Sequence, residues 1–208
     1  AGEDVTVLHH SHNRGKASTL WTGMQHAARH GASGVITLDG DGQHAPENIP
    51  RLIRATEDNP DSIIIAARVR TARNAPRLRR FANRCADFWI GWACGAALCD
   101  SQSGFRYYPA SLIRRLNVPH GTRRGFVFES ETLIEAAWLG VPIVAVPVES
   151  LYPCGMRLSY YHPVSDTLRI AGMVAGRLLR RGLYPRGLLR SLRGTVRWYD
   201  PPRDVSPS

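Results

Sequence analysis

Residues 62–69 read SIIIAARV, an apolar run with no polar residue in alternation. A strand with one wet face alternates apolar and polar side chains, so an unbroken run belongs to a strand covered on both faces. GVITLD at 34–39 and PIVAVPVE at 142–149 read the same way, and VTVLHH at 5–10 is a further β-rich stretch. Helical patterns lie between them. Residues 16–31 form one that closes on a glycine, 46–59 one interrupted near Pro50, and 130–140 another. Residues 77–98 place Phe81, Cys85, Phe88, Trp89 and Trp92 at helical spacing, a stripe expected to face the core or a partner. Strands alternating with helices over one core predict an α/β fold. In such folds ligands gather beyond the carboxyl ends of the strands.

At 208 residues, the chain has room for one sizeable domain, and 43% hydrophobic with 21% charged residues is ordinary for a globular protein. Its net charge of +10 is not ordinary. All but one of the 27 basic residues are arginine, the exception being Lys16. Residues 157–197 hold nine arginines against the single acid Asp166, and the leucine-rich pattern beyond Asp166 predicts one basic amphipathic C-terminal helix. A basic, apolar-rich end points to an anionic surface, a membrane or a nucleic acid. It lacks the spaced aromatic platform of single-strand binders, which argues against nucleic acid. The four cysteines form no Cys-x-x-Cys pair, so reduced thiols and a cytoplasmic setting are expected. The longest apolar stretch, WIGWACGAALC at 89–99, is about half of the roughly 20 residues needed to cross a bilayer.

The run GVITLD ends in Asp39-Gly40-Asp41-Gly42. Positions two apart in a strand point the same way, so Asp39 and Asp41 can converge on one point. Two adjacent carboxylates repel unless a cation neutralises them. A hard divalent ion shared with a ligand's phosphates meets that need. A solvated Asp-Gly turn has the same spelling, so the pair alone does not decide. An EF-hand is excluded because His44 and Pro50 stand where it needs glycine and glutamate. A P-loop is excluded because Ala17 follows Lys16 and the first glycine is missing. A phosphatase of the haloacid dehalogenase type fits poorly, since Gln43 replaces its threonine and no lysine follows.

Four blocks in order resemble family 2 glycosyltransferases, closest to the branch of dolichol-phosphate mannosyltransferase and bacterial polyprenyl-phosphate sugar transferases. They are NRGKASTLWTG (13–23), LDGDGQHAPENIP (38–50), DSQSGFRYYP (100–109) and GFVFESETLIEAAWLGVPIVAVPV (125–148). The resemblance implies a GT-A-like mixed sheet flanked by helices and metal-dependent, inverting transfer of a sugar from a nucleotide-diphosphate sugar to a lipid-linked acceptor, a polyprenyl phosphate. On that analogy Asp39 and Asp41 hold Mg2+ or Mn2+, and Asp39, Gln43, Ser103, Arg106 and Lys16 contact the substrates. Arg106 would pair with phosphate through its planar fork or serve as a structural ion pair. Asp41, Glu129 and Glu131 are the catalytic candidates; either glutamate would act as base or orient Arg123 and Arg124. A polyprenyl phosphate is already largely ionised at neutral pH, so a strong base is not required.

The resemblance also implies two opening segments, Pro-x-Tyr-Asn and Asp-Asp-Gly-Ser, that this sequence lacks. The expectation is therefore an N-terminally truncated domain, completed by a missing segment or partner chain. The expected organisation is a partial catalytic domain at 1–156, a basic membrane-interface segment at 157–197 and a disordered tail at 198–208. The protein would sit peripherally on the cytoplasmic face of the membrane. A non-catalytic remnant acting as a lipid-surface module is the alternative reading.

Overall fold

Backbone geometry sorts what chemistry leaves uniform in the run at 62–69. In strand β2 (Ile63–Arg68), Ile63 and Ile65 enter one hydrophobic cluster, while Ile64 and Ala66 enter a second on the opposite face. The computed structural model describes residues 5–40, 44–68, 77–121, 125–149 and 163–199. Its strands β1 (Gly34–Thr37), β2, β3 (Arg106–Pro109) and β4 (Ile143–Val148) form one mixed sheet in the order β1-β3-β2-β4. β3 is antiparallel to both neighbours, and β2 is parallel to β4. Three strands therefore end on the edge where β3 begins.

One face is covered by helices α1 (Gly15–Arg29), α3 (Arg77–Cys94), α5 (Gly125–Trp138) and α6 (Pro163–Arg180). Met24, Ile90, Phe128, Ile134, Val174 and Leu178 are their buried contributions. The other face is covered by α2 (Ile49–Asp58) through Leu52 and Ala55, together with Tyr199. Pro50 falls in the first turn of α2, where its missing N–H costs nothing, so it opens that helix rather than breaking it. A short helix α4 (Ala110–Ile113) follows β3, and α7 (Pro185–Arg193) packs on α3. Each fully buried isoleucine of β2 contributes about 1.5–3 kcal/mol. Burial pushes the Cys99 thiol up to about 11 and the Cys94 thiol higher still, which disfavours the thiolate; neither is disulfide-bonded.

Four features differ from the expectations. Val5–His10 form no strand: none of the four strands pairs with them, and Val5 and Val7 stay exposed. A β-rich sequence without a partner ladder has no reason to hold a strand. Conversely, β3 was not expected, because Arg-Tyr-Tyr-Pro shows no apolar run. The basic C-terminal segment is two helices rather than one amphipathic helix. The chain turns through Gly182, Leu183 and Tyr184, all at positive φ, before Pro185 starts α7. Nor does it stand apart from the domain. α6 buries Ile170, Val174 and Leu178 in the main core, and Arg177 bridges Glu131 and Glu135 of α5. Trp198 and Tyr199, expected in the loose tail, are ordered: Trp198 bridges Ala145 of β4, and the Tyr199 hydroxyl donates to Asp58 at 2.8 Å. Residues 200–208 lie outside the described residues.

The packing predicts opposite outcomes for two leucines of the C-terminal segment. Leu178→Ala in α6 should lower unfolding free energy by about 3 kcal/mol in urea titration, the usual cost of emptying a buried leucine site. Leu189→Ala in α7, at a half-exposed position, should change it by less than about 0.5 kcal/mol.

Candidate active site

The Asn-Arg-Gly-Lys stretch is a helix start. Gly15 has a φ of 79°, in the left-handed region that favours glycine, and its N–H donates to Asn13 Oδ1 at 2.9 Å. This turn sets Lys16 at the second position of α1, aimed across the sheet's carboxyl edge. Lys16 Nζ lies 2.9 Å from Asp39 Oδ1 and 3.2 Å from Glu129 Oε1. One ammonium thus joins the loop after β1 to α5. Asp39 and Lys16 are each about 30% exposed, whereas Glu129 is almost fully buried, so the cluster has an open side and a dry back.

Asp39 owes its place to Thr37 and Gly104. Thr37, buried at the end of β1, donates its hydroxyl to Gly104 O at 2.8 Å. A Cβ on Gly104 would overlap the Asp39 carboxylate, coming 2.7 Å from its Cγ. The carboxylate rests in the space that glycine leaves. This explains why an acid after one strand and Ser-Gly-Phe-Arg before another belong to one site.

Arg106, opposite Thr37 and Ile65 in the sheet, has no solvent exposure. Its Nη2 donates to Ser101 O at 2.7 Å and its Nη1 to Glu129 O at 2.8 Å. A weaker bond reaches the Tyr108 hydroxyl at 3.4 Å. Arg106 therefore fixes the loop before β3 and the backbone that carries Glu129.

The sequence profile of glycosyl transferase family 2 matches residues 1–132, well over half of the 208-residue chain, and spans every one of these groups. The chain belongs to glycosyl transferase family 2. It is 28% identical over 151 residues to the UDP-N-acetylglucosamine–dolichyl-phosphate N-acetylglucosaminyltransferase of Methanococcus voltae, covering 71% of this chain and 60% of that protein. It is 27% identical over 146 residues to the polyprenol monophosphomannose synthase of Mycolicibacterium smegmatis, covering 69% and 55%. It is 29% identical over 152 residues to the undecaprenyl-phosphate mannosyltransferase of Micrococcus luteus, covering 71% and 62%. The chain thus spans a little over half the length of these relatives. Its four-stranded mixed sheet flanked by helices is consistent with a GT-A-like fold.

In this family 2 chain the predicted site residues separate into two groups. Lys16, Asp39 and Glu129 meet. Glu131, two residues further along α5, faces away and pairs with Arg177 of α6 at 2.9 Å. Ser103 is buried, with its hydroxyl on Ala66 O at 2.9 Å, so it shapes the loop rather than meeting a ligand. Arg106 is likewise enclosed, and its two Nη groups are engaged by backbone carbonyls, which leaves no open fork for phosphate. Asp41 and Gln43 lie outside the described residues.

Burial opposes the charge on Lys16, but the carboxylates of Glu129 and Asp39 outweigh it and hold its pKa above the ordinary lysine value. Burial raises the Glu129 pKa, with Lys16 and Arg106 only partly offsetting it. For a divalent cation, the available donor is hard carboxylate oxygen, held in the Gly104 cradle. No trio of His, Cys, Asp or Glu is gathered for a metal among the described residues. That donor set fits Mg2+ or Mn2+, which take one or two carboxylates and complete their shell with phosphate and water, better than a caged ion such as zinc.

A clamp that the sequence did not disclose stands behind the site. Asp100, at a φ of 53°, accepts Arg68 Nη2 at 2.6 Å, Nε at 2.7 Å and the Arg68 N–H at 2.9 Å. Asp87 of α3 accepts the N–H groups of Asp100 and Ser101. Burial alone would raise the Asp100 pKa; the Arg68 guanidinium and N–H outweigh it and lower it. A depressed folded pKa stabilises the fold above about pH 4 and loses that contribution as pH falls through the folded value. Arg68→Ala should cost about 3 kcal/mol at neutral pH in urea titration, since it strands a buried charge. Asp100→Asn should lose less further stability than the unmodified chain between about pH 5 and 2.

Proposed function

We propose that this chain carries the catalytic core of an enzyme that transfers a sugar, with inversion, from a nucleotide-diphosphate sugar to a polyprenyl phosphate. The observation that supports it most is the meeting of Lys16, Asp39 and Glu129 at the carboxyl edge of the sheet, with Gly104 making room for the carboxylate. The named relatives, which act on dolichyl, polyprenol and undecaprenyl phosphates, support the acceptor class.

The reaction asks little proton chemistry of the protein. An acceptor phosphate oxygen attacks the anomeric carbon from the face opposite the diphosphate. The anomeric C–O bond breaks, and the nucleotide diphosphate leaves with the electron pair. A phosphate monoester is already substantially ionised at neutral pH, so alignment and charge compensation replace a general base. Lys16 is the group placed to meet anionic oxygen, and Glu129 holds its ammonium in position from the buried side. Arg106 positions Glu129 and the Ser101 loop through their carbonyls.

Asp39, with Asp41, would hold Mg2+ or Mn2+. The cluster's acids outnumber Lys16, and a donor diphosphate adds further negative charge that a divalent cation offsets. When bound, that ion would supply Lewis-acid stabilisation of the charge on the leaving diphosphate. Gln43 would approach the donor. The protein would work peripherally at the cytoplasmic face, a reading compatible with the finding that no described helix is long and apolar enough to cross a membrane.

Incubation with labelled nucleotide sugars, Mg2+ and undecaprenyl phosphate should yield a chloroform-soluble glycolipid. Asp39→Ala and Gly104→Ala should each reduce kcat/KM by about a hundredfold or more, the scale of losing a positioned charge. Gly104→Ala should leave the melting temperature within a few degrees, because its backbone needs no positive φ. No glycolipid from any donor, by a protein that still binds lipid vesicles, would instead identify a non-catalytic lipid-surface module.

A further inference from the structure

The exposed apolar residues of the described chain concentrate where α3 meets the C-terminal helices. On α3, Phe81 is 66% exposed, Trp89 48% and Phe88 40%. Phe88, Trp89 and Trp92 form one aromatic cluster, with Trp89 stacked on Trp92 at 5.3 Å and Phe88 edge-on to Trp89 at 5.4 Å. The Trp92 indole donates to Leu183 O at 3.0 Å and also to Tyr184 O. That bond ties the cluster to the turn that opens α7, where Leu183 is exposed as well.

α7 continues the pattern. Gly187 is buried against the fold, whereas Leu189 and Leu192 are exposed three positions apart. Arg186, Arg190 and Arg193 follow i, i+4, i+7 spacing and line the flank beside those leucines. No acid occurs anywhere between Thr167 and Tyr199, while eight arginines do. Leucines turned away from the core, arginines on one flank and tryptophan at the margin are what a helix lying in a lipid interface presents.

We propose that α3 and α7 together form one membrane-contacting face, in which Phe88 and Trp89 enter the headgroup region beside Leu189 and Leu192 while the arginines of α7 bind anionic lipid. This deepens the lipid-acceptor reading and rests on it only for its biological sense. The α3 aromatics, expected from the sequence to be core or partner-facing, thereby gain a role that the basic segment alone does not have. Charge selects the occupant. A second copy would set two arginine arrays against each other, and a nucleic acid would leave the leucines and Trp89 uncovered.

The test is co-sedimentation of the protein with phosphatidylcholine vesicles with and without about 30 mol% phosphatidylglycerol. It needs no donor and no turnover, so its outcome is separable from that of the transferase assay. Binding should favour anionic vesicles by about tenfold or more and fall in high salt. Trp89→Ser and Leu192→Ser, both at exposed positions, should each weaken binding several-fold while retaining the unmodified circular dichroism melt. Brominated lipid should quench tryptophan fluorescence, and Trp89→Phe should remove most of that quenching while keeping vesicle affinity within about twofold. Failure to bind anionic vesicles overturns the proposal. So does binding that is unchanged in both serine variants, or quenching that persists undiminished in Trp89→Phe.

Discussion

A full positive charge with no exposure to water organises this protein. Arg106 opens the antiparallel strand in the middle of the sheet, and its two Nη groups donate to carbonyls from two other places in the chain, Ser101 and Glu129, while its buried Nε has no hydrogen-bond partner. Burying an ion is tolerable only when its protons are met by well-placed acceptors. The same bonds that meet that need fix the loop before β3 and the first turns of α5. Burial works against the Arg106 charge, and Tyr108 and Glu129 favour it on balance, so the cation persists. Arg106 serves as scaffold because it is fully enclosed and both of its Nη groups already donate to backbone carbonyls.

The reactive cluster is built on that scaffold. Lys16 comes from a glycine-started helix, Asp39 from the end of β1 and Glu129 from α5, and each arrives on an element packed into the same core. The geometry leaves the Asp39–Lys16 side open and the Glu129 side dry. On the open side Lys16 keeps a charge that burial has not extinguished. α6 belongs to the same body through Leu178 and Arg177, so the arginine-rich surface of α7 is held in fixed relation to the catalytic edge.

The buried strands were legible because their apolar runs admit no wet face, and β1, β2 and β4 fall within the predicted stretches. β3 was hidden. Its four residues begin with arginine and end with proline, and their burial depends on two flanking strands that a linear pattern does not display. The β-rich stretch at 5–10 erred the other way, since propensity without a partner makes no ladder. Lys16, Asp39 and Glu129 were each singled out through the motif blocks, but that they meet was not legible there. Local spacing could not separate Glu129 from Glu131, because the choice rests on which faces Lys16 and which faces Arg177. The Arg68–Asp100–Asp87 clamp left no trace in the sequence, its members being joined only by the fold.

Anomalous diffraction from crystals grown with Mn2+ and a nucleotide-diphosphate sugar would locate the ion and the diphosphate at the sheet's carboxyl edge. A manganese peak should lie against the Asp39 carboxylate, with the diphosphate on that ion and within reach of Lys16 Nζ, and Arg106 still enclosed behind Glu129. A diphosphate seated away from this edge, or bound there with no peak beside Asp39, would contradict that arrangement.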